Sequence, residues 1–544
     1  MESSILIVGS GPTGLALALV LRRNNVPVRI IEKRSEYPIG SRGCGVQPRI
    51  LELYKILGIL PEFLEVCTPL MKVAQFSPRG NEPDKILEMA TVLEPTPARP
   101  YNNPVSLGQD RHEALLRSML EKTGCKVELE TEFLSFEQHA DHVVARLAKT
   151  LDGQRTEETA KFAYLVGADG ARSQVRKQLG LTFLGESVES VSMVIGDLYL
   201  RGLDKEYWRM WGVGTGRLVA LRPMETNSDR FNFFFQASPE ENERIVNNPE
   251  LIFQGIKEMT GRTDIEFGEL ICAGIWRPNI RMVNNFGEGR VFVAGDAAHV
   301  HSPTGGQGMN SGVQDAFNLG WKLSLAYRGI ASEGLLESYS RERLPVIATM
   351  LDKTTELFQK TFRSTGSEGW VRGYELRQFG VNYRGSPIVV DQRSTTHEEE
   401  SPDPYRSGED GKVRAGDRAP DAPGLLDESQ NLTSLLDIFK PICQTVIVFT
   451  GDSSREEQDA ILQTVAKHQG SVVQTIIVYP QSVKALSPVP DVDRVLVDRD
   501  GHAYKNYAVS EKEMSVVIVR PDGFIGAVVF NADGLRTYMT NVFV

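Results

Sequence analysis

The chain has 544 residues, with 60 lysines and arginines against 71 aspartates and glutamates, and a formal net charge of −11. The length allows about three to four domains, and the mild acidity argues against a general nucleic-acid surface, which depends on clustered basic residues. Five scattered cysteines form no CxxC pair and no zinc-ligand spacing, so we expect reduced thiols and no metal site. Without a signal-peptide pattern or a long apolar stretch, the sequence predicts a cytoplasmic protein with no membrane span.

The chain begins with the pattern of a βαβ unit. A short apolar strand precedes a glycine-rich turn, and a helix and a second strand that ends at Glu32 follow it. The turn has the spacing GxGxxG, formed by Gly9, Gly11 and Gly14. Such glycines allow a tight turn, close approach of a pyrophosphate and packing of helix on strand, while the acid accepts hydrogen bonds from ribose hydroxyls. We predict a dinucleotide site for FAD or NAD, because an acid here does not suit a 2′-phosphate.

The middle of the chain predicts a helix, a second turn and a sheet. A helix begins near Gln109, and residues 127–147 alternate like a β-hairpin. The segment YLVGADGARSQVR has a strand that ends near Asp169 and a helix after it, which alone is equally typical of an ordinary strand-to-helix turn. Residues 190–285 are strand-rich and aromatic, and they predict an antiparallel sheet that supplies the wall of a pocket.

Residues 292–309 read FVAGDAAHVHSPTGGQGM and are the most informative segment. A strand leads into an acidic turn at Asp296, and a Pro-Thr-Gly-Gly-Gln-Gly loop then opens a helix over residues 307–330. The main-chain N–H groups at such a helix start favour negative charge, so a polyol with an anion-forming ring, such as reduced flavin, would fit. We expect Asp296 to bind ribityl hydroxyls, residues 305–310 to offer amides to the ring, and His299 and His301 to fix the loop by hydrogen bonds.

The last third of the chain changes character twice. Residues 366–414 are polar and rich in proline, glycine and glutamate, which predicts a linker or an extended arm. After Ala415 four apolar strands and a helix predict a separate small α/β domain. Cys443 is its single cysteine, so dithiol chemistry is not expected there.

Together these motifs resemble the class A flavoprotein monooxygenases, the p-hydroxybenzoate hydroxylase and phenol hydroxylase group, over most of residues 1–360. The resemblance rests on the segments GSGPTG, SRGCGVQPR, LGQDRHEALL, GADGARSQVR and GDAAHVHSPTGGQGMNSGVQDAFNLGWKL. The segments RAGDRAP and VRPDGFIG are similar to the thioredoxin-like domain of phenol hydroxylase relatives, where a structural or dimer-contact role is expected.

The resemblance implies an α/β fold with three parts. A Rossmann-like FAD-binding domain of the p-hydroxybenzoate hydroxylase type is expected over residues 1–72, 104–182 and 286–365. An inserted antiparallel-sheet substrate domain is expected over residues 73–103 and 183–285. A linker at 366–414 and a thioredoxin-like domain at 415–544 complete the prediction. We expect truncation after about Arg406 to leave the flavin site intact.

The resemblance also implies residue roles. FAD would bind extended, with the pyrophosphate and ribose at the first turn, and its binding residues would be Gly9, Gly11, Gly14, Glu32, Arg42, Gln109, Asp169, Asp296, Pro303, Gly306, Gly308, Met309 and Asn310. The catalytic candidates are Arg42 and Pro303 beside the ring, with Tyr207 and Trp211 from the aromatic sheet. Other candidates for the pocket lining are Arg217, Arg222, Phe233, Phe235 and Trp276.

The implied reaction is hydroxylation of a phenolic or other aromatic small molecule through a flavin hydroperoxide, with NADPH or NADH as transient co-substrate and O2 as oxidant. Oxidative decarboxylation of a hydroxybenzoate, including a prenylated one, and Baeyer–Villiger oxidation are the alternatives. A flavin reductase without oxygen transfer and a catalytically decayed flavin-binding protein are the interpretations from other classes. The C-terminal domain is compatible with a homodimer.

Overall fold

The computed structural model describes residues 4–41, 43–187, 191–225, 227–302, 305–362, 370–393, 403–406, 412–451, 455–468, 470, 472–483 and 486–544. Strands in the first third are β1 (Ile5–Val8), β2 (Val28–Ile31), β3 (Gly45–Val46), β4 (Thr68–Pro69), β5 (Lys72–Phe76), β6 (Lys85–Leu87), β7 (Val105–Ser106), β8 (Val127–Glu128), β9 (Thr131–Gln138), β10 (Val143–Leu151), β11 (Gln154–Phe162) and β12 (Tyr164–Gly167). Helices in this part are α1 (Pro12–Arg23), α2 (Pro48–Leu57), α3 (Leu60–Val66), α4 (Gln109–Glu121) and α5 (Gln174–Gln178).

The middle of the chain adds strands, helices and a 3₁₀ turn. Its strands are β13 (Phe183–Ser187), β14 (Met193–Arg201), β15 (Tyr207–Trp211), β16 (Leu218–Pro223), β17 (Arg230–Gln236), β18 (Glu266–Trp276), β19 (Asn279–Val283), β20 (Gly287–Glu288), β21 (Val291–Val293) and β22 (His299–Val300). The 3₁₀ turn is Gly295–Ala297, and the helices are α6 (Pro239–Ile245), α7 (Pro249–Thr260), α8 (Gly308–Tyr327) and α9 (Glu337–Phe362).

The C-terminal part contains the remaining elements. Its strands are β23 (Val390–Asp391), β24 (Pro423–Leu426), β25 (Leu432–Ser434), β26 (Gln444–Phe449), β27 (Val473–Tyr479), β28 (Arg494–Asp498), β29 (Ser515–Val519) and β30 (Ile525–Val529). Its helices are α10 (Leu435–Ile438), α11 (Arg455–Ala466), α12 (His502–Asn506) and α13 (Ala532–Val542), and a 3₁₀ turn at Tyr374–Arg377 precedes them. No helix in these described ranges is long and apolar enough to cross a membrane.

A six-stranded sheet in the order β20-β21-β12-β1-β2-β8 organises the first domain. The strands from β21 to β8 are parallel, and β1 at the centre has four fully buried apolar residues, as a strand covered on both faces requires. The apolar helix α1 begins at Pro12 and packs against α8, so the turn after β1 and the start of α8 lie side by side. This architecture confirms the predicted Rossmann-like fold.

A seven-stranded sheet in the order β18-β14-β17-β16-β15-β5-β6 forms the second unit. Its pairs are antiparallel except for β15 with β5. One face carries Trp211, Phe233 and Phe235 in a core with α6 and α7, and the other face carries Trp208 and Phe234. The predicted antiparallel sheet is confirmed, and its two aromatic faces matter for the site.

The C-terminal unit is an eight-stranded mixed sheet in the order β23-β30-β29-β26-β27-β28-β24-β25. Its centre is a βαβ unit, β26-α11-β27, followed by the antiparallel pair β29-β30 and α13. This βαβ–ββα arrangement is the thioredoxin-like fold that the sequence predicts. Burial raises the pKa of the Cys443 thiol to about 11, so that thiol stays protonated near neutral pH.

Residues 370–393, part of the linker or extended arm expected for residues 366–414, pack against the rest of the protein. Trp370, Leu376, Phe379 and Tyr383 are buried. The guanidinium of Arg377 donates hydrogen bonds to the carbonyl oxygens of Asn102 and Thr91, which ties this segment to the substrate sheet region. We call residues 370–381 the strap, because they lie over the cavity described below.

Candidate active site

The three glycines of the first turn have different surroundings. The φ angle of Gly9 is +106°, and a Cβ atom there would lie 2.3 Å from the carbonyl oxygen of Ala168. A Cβ on Gly14 would lie 2.1 Å from the carbonyl oxygen of Gly9, so both positions need glycine for close packing. A Cβ on Gly11 would meet nothing within 4 Å, which leaves the N-terminal end of α1 accessible. This end of the helix can receive a phosphate.

Glu32 lies beside this turn. Its Oε2 atom accepts hydrogen bonds from the main-chain N–H of Ser10 at 3.4 Å and from the Ser10 hydroxyl at 3.3 Å. Its Oε1 atom accepts from the main-chain N–H of Arg34 at 3.2 Å. The side chain is half-buried, so the carboxylate is held in place while part of it remains open to a ligand.

The second predicted motif braces the first turn. The Oδ2 atom of Asp169 accepts hydrogen bonds from the main-chain N–H groups of Gln174 at 2.7 Å and Val175 at 3.4 Å, so it caps α5. Burial raises the pKa of Asp169 despite these bonds. Arg176 donates to the carbonyl oxygen of Ala297 at 2.8 Å and thereby links α5 to the acidic 3₁₀ turn. Within the protein, these contacts of Asp169 and Arg176 stabilise α5 and its link to the 3₁₀ turn.

Asp296 is exposed on the 3₁₀ turn, which packs closely against α1. The φ angle of Gly295 is +60°, and a Cβ there would lie 2.4 Å from Oγ1 of Thr13. Gly312 in α8 has a similar contact, because its Cβ would lie 2.3 Å from the same oxygen. The start of α1, the acidic turn and the start of α8 therefore converge on one side of the domain.

A buried charge network that the sequence analysis did not identify in full holds the acidic turn. Asp315 accepts from the main-chain N–H of Gly295 at 2.9 Å, lies 2.7 Å from Nε2 of His299 and forms an ion pair with Nε of Arg343 at 2.6 Å. Burial alone would raise the pKa of Asp315, but Arg343 and His299 lower it below its usual value. The loop-fixing role expected for His299 fits this geometry. No local sequence pattern indicates the role of Arg343, which lies in α9, 28 residues after Asp315.

The N-terminus of α8 presents main-chain groups rather than side chains. The Asn310 side chain accepts from the N–H of Gln47 at 2.8 Å and donates to the carbonyl oxygens of Gly45 at 2.9 Å and Gly306 at 2.6 Å. Its amide is therefore used in shaping the loop. A Cβ on Gly308 would lie 2.5 Å from Nε2 of His301. The first N–H groups of the helix have no partner within the helix and can face an anion.

Two further predicted residues, Gln109 and Met309, contact different parts of the protein. The side-chain amide of Gln109 donates to Glu113 at 2.9 Å, and its main-chain N–H donates to the carbonyl oxygen of Gly43 at 3.1 Å. The sulfur of Met309 lies 3.2 Å from Nδ1 of His112. Burial lowers the pKa of His112 to about 3 and that of His301 to about 4, so both rings are neutral near pH 7.

Arg42 and Pro303 lie outside the described residues, and their predicted roles remain predictions. The residues just before Arg42 are anchored to the substrate sheet. The N–H of Ser41 donates to Asp197 at 3.0 Å, and Arg230 forms ion pairs with Asp197 at 2.5 Å and with Asp110 at 2.7 Å.

A cavity joins the start of α8 to the substrate sheet. Its empty volume is about 1360 Å³, part of it open to solvent. Gly305 and Gly306 line one end, the strap covers another side, and the sheet contributes Trp208, Arg222 and Phe234. The lining is mainly apolar, as is typical of a site for an organic ligand.

Of the two aromatic faces of the sheet, the one that lines the cavity is not the one to which most of the predicted aromatic residues belong. Trp211 is 1% exposed, stacks on Phe76 and donates from Nε1 to the carbonyl oxygen of Gly80. Tyr207 shares that face, because residues two and four apart along a strand point the same way. The catalytic candidates Tyr207 and Trp211 therefore lie away from the cavity, as do Phe233 and Phe235. The Arg217 guanidinium pairs with Glu241 at 2.6 Å on that side.

Trp276 and Arg222 complete the set of predicted lining residues. Trp276 contacts Phe358 edge-on, with ring centroids 6.3 Å apart. Arg222, one of the candidates, lines the cavity, and Trp208 beside it was missed. The segment YWRMW offers aromatic residues to both faces, so alternation in the sequence could not select one.

Comparison with known proteins gives consistent matches over the whole chain. Residues 2–354 match the family described as FAD binding domain, and residues 484–544 match the family described as phenol hydroxylase, C-terminal dimerisation domain. A flavin-dependent monooxygenase from Mycobacteroides abscessus is 31% identical over 99% of this chain and 100% of that protein. Pentachlorophenol 4-monooxygenase from Sphingobium chlorophenolicum is 28% identical over 97% of this chain and 94% of that protein.

Solved structures agree with these matches. A ternary complex of aklavinone-11 hydroxylase with FAD and aklavinone has a TM-score of 0.78 at 26% identity, over 99% of this chain and 98% of that chain. The flavin-dependent monooxygenase PieE, in complex with FAD and substrate, has a TM-score of 0.80 at 22% identity, over 99% of both chains, and supports the fold. The chain therefore belongs to the family of FAD-dependent aromatic monooxygenases.

Proposed function

We propose that this protein is an NAD(P)H-consuming hydroxylase of a phenolic or other aromatic compound. The observation that carries the proposal is the apolar cavity that ends at Gly305 and Gly306, next to the helix start where a flavin ring would be held. Its mainly apolar lining, with Trp208 and Phe234 from the sheet, suits an aromatic ligand.

The residues present fit an extended FAD. The accessible end of α1 at Gly11 would receive the pyrophosphate, Glu32 the adenosine ribose, and Asp296 and Gln109 the ribityl chain. The main-chain amides at the start of α8 would face the ring. Arg42, Asp169 and Pro303 complete the proposed set from the sequence. Bound FAD would supply hydride acceptance and the activation of O2, chemistry that no side chain provides.

The protein itself supplies binding, charge stabilisation and exclusion of water. The amides of Gly308 and Met309 at the helix start would stabilise negative charge on the adjacent ligand without reorganising during the reaction. The apolar cavity and the strap would keep water away from the reacting atoms. Trp208 and Phe234 would hold an aromatic ring against the sheet.

The names of the relatives support a phenolic or other aromatic substrate. They include enzymes named for pentachlorophenol, tetracenomycin A2 and 6-methylpretetramide. We propose hydroxylation as the outcome for this chain. The C-terminal match to a dimerisation domain supports a homodimer that forms through residues 484–544.

The deciding experiment is a screen of phenols and hydroxylated multi-ring aromatics for stimulated NAD(P)H oxidation under ¹⁸O2. Label in a new ring hydroxyl, with the carbon skeleton unchanged, supports hydroxylation, whereas label in a new ester or lactone would indicate Baeyer–Villiger oxidation. Loss of a ring carboxylate with label retained would instead indicate oxidative decarboxylation. Steady NAD(P)H oxidation that yields only hydrogen peroxide across the panel would contradict the proposal and favour a reductase.

A further inference from the structure

Three buried glutamine side chains connect helix α8, the strap and the loop at the end of the cavity. Gln314 lies in α8, Gln378 lies in the strap, and Gln307 directly precedes α8. The amide of Gln314 donates a hydrogen bond to Oε1 of Gln378 at 2.7 Å, and the amide of Gln378 donates to Oε1 of Gln307 at 2.8 Å. We call these three residues the glutamine chain. Because each amide donates to the next, the hydrogen bonds run in one direction and strengthen one another.

The glutamine chain ends on a carbonyl group of the cavity wall. The Nε2 atom of Gln307 donates to the carbonyl oxygen of Gly305 at 2.9 Å and to that of Leu376 in the strap at 3.0 Å. A second amide, that of Gln47, donates to the same Gly305 oxygen at 3.2 Å. A carbonyl oxygen has two lone pairs, so the acceptor capacity of this one is used. The direction of the Gly305 carbonyl is therefore fixed by two side chains.

The fixed carbonyl belongs to a peptide that could otherwise rotate. The φ angles of Gly305 and Gly306 are +89° and +62°, and both residues line the cavity. A peptide between two glycines can turn over without a Cβ clash, which would exchange its C=O and its N–H. In a trans peptide these groups point in opposite directions, so the Gly306 N–H points away from the two glutamine amides. Within the described ranges this N–H has no hydrogen-bond partner.

The backbone of Gln378 supports a specific role for its side chain. Its φ angle is +65°, in the left-handed region that residues with long side chains seldom adopt. Glycine would adopt this conformation more easily. The side chain of Gln378 is nevertheless fully buried, and both its oxygen and its nitrogen are hydrogen-bonded within the glutamine chain. These hydrogen bonds compensate for an unfavourable backbone, as is typical of residues that hold a functional loop.

We propose that Gln307 and Gln378 are positioning residues that fix the Gly305–Gly306 peptide, so that the Gly306 N–H faces the flavin ring. Gln307 acts through the Gly305 carbonyl, and Gln378 acts through Gln307. A directed N–H stabilises a ring that carries negative charge more than a neutral ring, so the fixed peptide favours reduced over oxidised FAD. The inference rests on the proposed position of the ring at the start of α8, and it does not depend on the substrate or on oxygen transfer.

The test measures the midpoint potential of bound FAD in the full chain, under anaerobic conditions and without NAD(P)H or aromatic substrate. Gln307→Met keeps the length of the side chain and removes both hydrogen bonds that its amide donates. We expect the preference for reduced over oxidised FAD to fall about 10-fold, because a hydrogen bond to a charged group is lost. For a two-electron couple this lowers the potential by about 30 mV. The dissociation constant of oxidised FAD should change by about 3-fold or less.

A second variant and a matched control separate positioning from general destabilisation. Gln378→Met loosens Gln307 without removing it, so the potential should fall by a smaller amount, about 3-fold or about 14 mV. Gln474→Met is the control, because this buried amide in β27 also donates two hydrogen bonds, to Ile438 at 3.0 Å and to Thr445 at 2.7 Å. It should reduce stability but keep the FAD preference within about 1.5-fold, or about 5 mV.

Unchanged potentials in both strap and loop variants would overturn the proposal, and so would an equal shift in the Gln474→Met control. If neither variant retains FAD, a crystal structure of the FAD-loaded wild-type protein decides. A Gly305 carbonyl that points toward the ring, in place of the Gly306 N–H, would refute the inference. The proposed function is tested separately. A protein with the expected shifts that never transfers oxygen would refute the proposed hydroxylation alone, whereas hydroxylation with unshifted potentials would refute the positioning role alone.

Discussion

Removal of one buried arginine should destabilise both the flavin domain and the C-terminal domain. Arg520 in the C-terminal unit donates to Glu342 of α9 at 2.7 and 2.9 Å and pairs with Asp522 at 2.5 Å. Lys322 of α8 donates to the same Glu342 carboxylate at 2.7 Å. The two cations and two anions thus form a neutral group, and their side chains are 0–2% exposed. The group consists of Lys322, Arg520, Glu342 and Asp522. Arg520→Met leaves a buried net negative charge, which typically costs about 3–5 kcal/mol.

The assay is urea unfolding of the FAD-loaded protein, followed by tryptophan and flavin fluorescence. Nε1 of Trp321 donates to Asp522 at 3.2 Å, so tryptophan emission reports on the contact between α8 and the C-terminal unit. We expect both signals to shift together to lower urea, because the lost partner bridges the two units. Arg536→Met is the control. Its ion pair with Asp533 is exposed, and its loss should change stability by less than about 1 kcal/mol.

If Arg520→Met lowers the free energy of unfolding by less than about 1 kcal/mol, this reasoning is refuted. An early tryptophan transition with the flavin signal unchanged would also refute it, because the units would then unfold independently. The same geometry opposes the expectation that truncation after Arg406 leaves the flavin site intact. Truncation would remove Arg520 and also Arg418, which pairs with the buried Glu52 of α2 at 2.8 Å. We expect the shortened chain to lose FAD binding.

Three further predictions concern the flavin turn, pH and the cavity wall. Asp296→Ala should raise the FAD dissociation constant about 10-fold or more, measured by flavin fluorescence, and an unchanged constant would remove the ribityl assignment. The pKa of His112 is lowered to about 3 in the folded protein, so the unfolded chain takes up its proton first as pH falls below about 6.5. The free energy of unfolding therefore decreases as the pH falls. Between pH 7 and 5, this decrease should be about 2 kcal/mol smaller in His112→Gln than in the wild-type protein, and an equal decrease in both would contradict the prediction. Trp208→Ala should weaken substrate binding more than it weakens folding, whereas Trp211→Ala should cost about 3–5 kcal/mol of stability, and the reverse pattern would mean that the cavity face is misassigned.

The sequence predicted elements whose signals are local. The strand, glycine turn and helix at the N-terminus, the long helix after Gly306 and the strands of the C-terminal unit all follow from apolar periodicity and turn residues. The glycines at Gly9 and Gly14 also have the packing reasons that such a turn requires. These features depend on neighbours in the chain, so a single sequence is sufficient to find them.

Features that depend on distant partners were not predictable in this way. The polar composition of residues 366–414 predicted a linker or an extended arm, and it did not indicate that Trp370 and Leu376 would be buried against parts of the chain far from them in sequence. Arg520 and Glu342 lie 178 residues apart, and no periodicity connects them. The choice between Trp208 and Trp211 depended on which side of the sheet meets α6 and α7 and which side meets the flavin domain. Shifting the register of a strand by one residue moves each of its side chains to the other face of the sheet.

The helix α8 explains why distant domains and the flavin loop are connected. Its first residues, from Gly308, present amides toward the proposed flavin ring, and Lys322 in the same helix joins the buried charge group with Arg520. Fourteen residues of α-helix separate these points by roughly 21 Å, and α8 is buried along most of its length. We therefore expect the C-terminal unit to support the proposed flavin site by holding the far end of the helix that presents it.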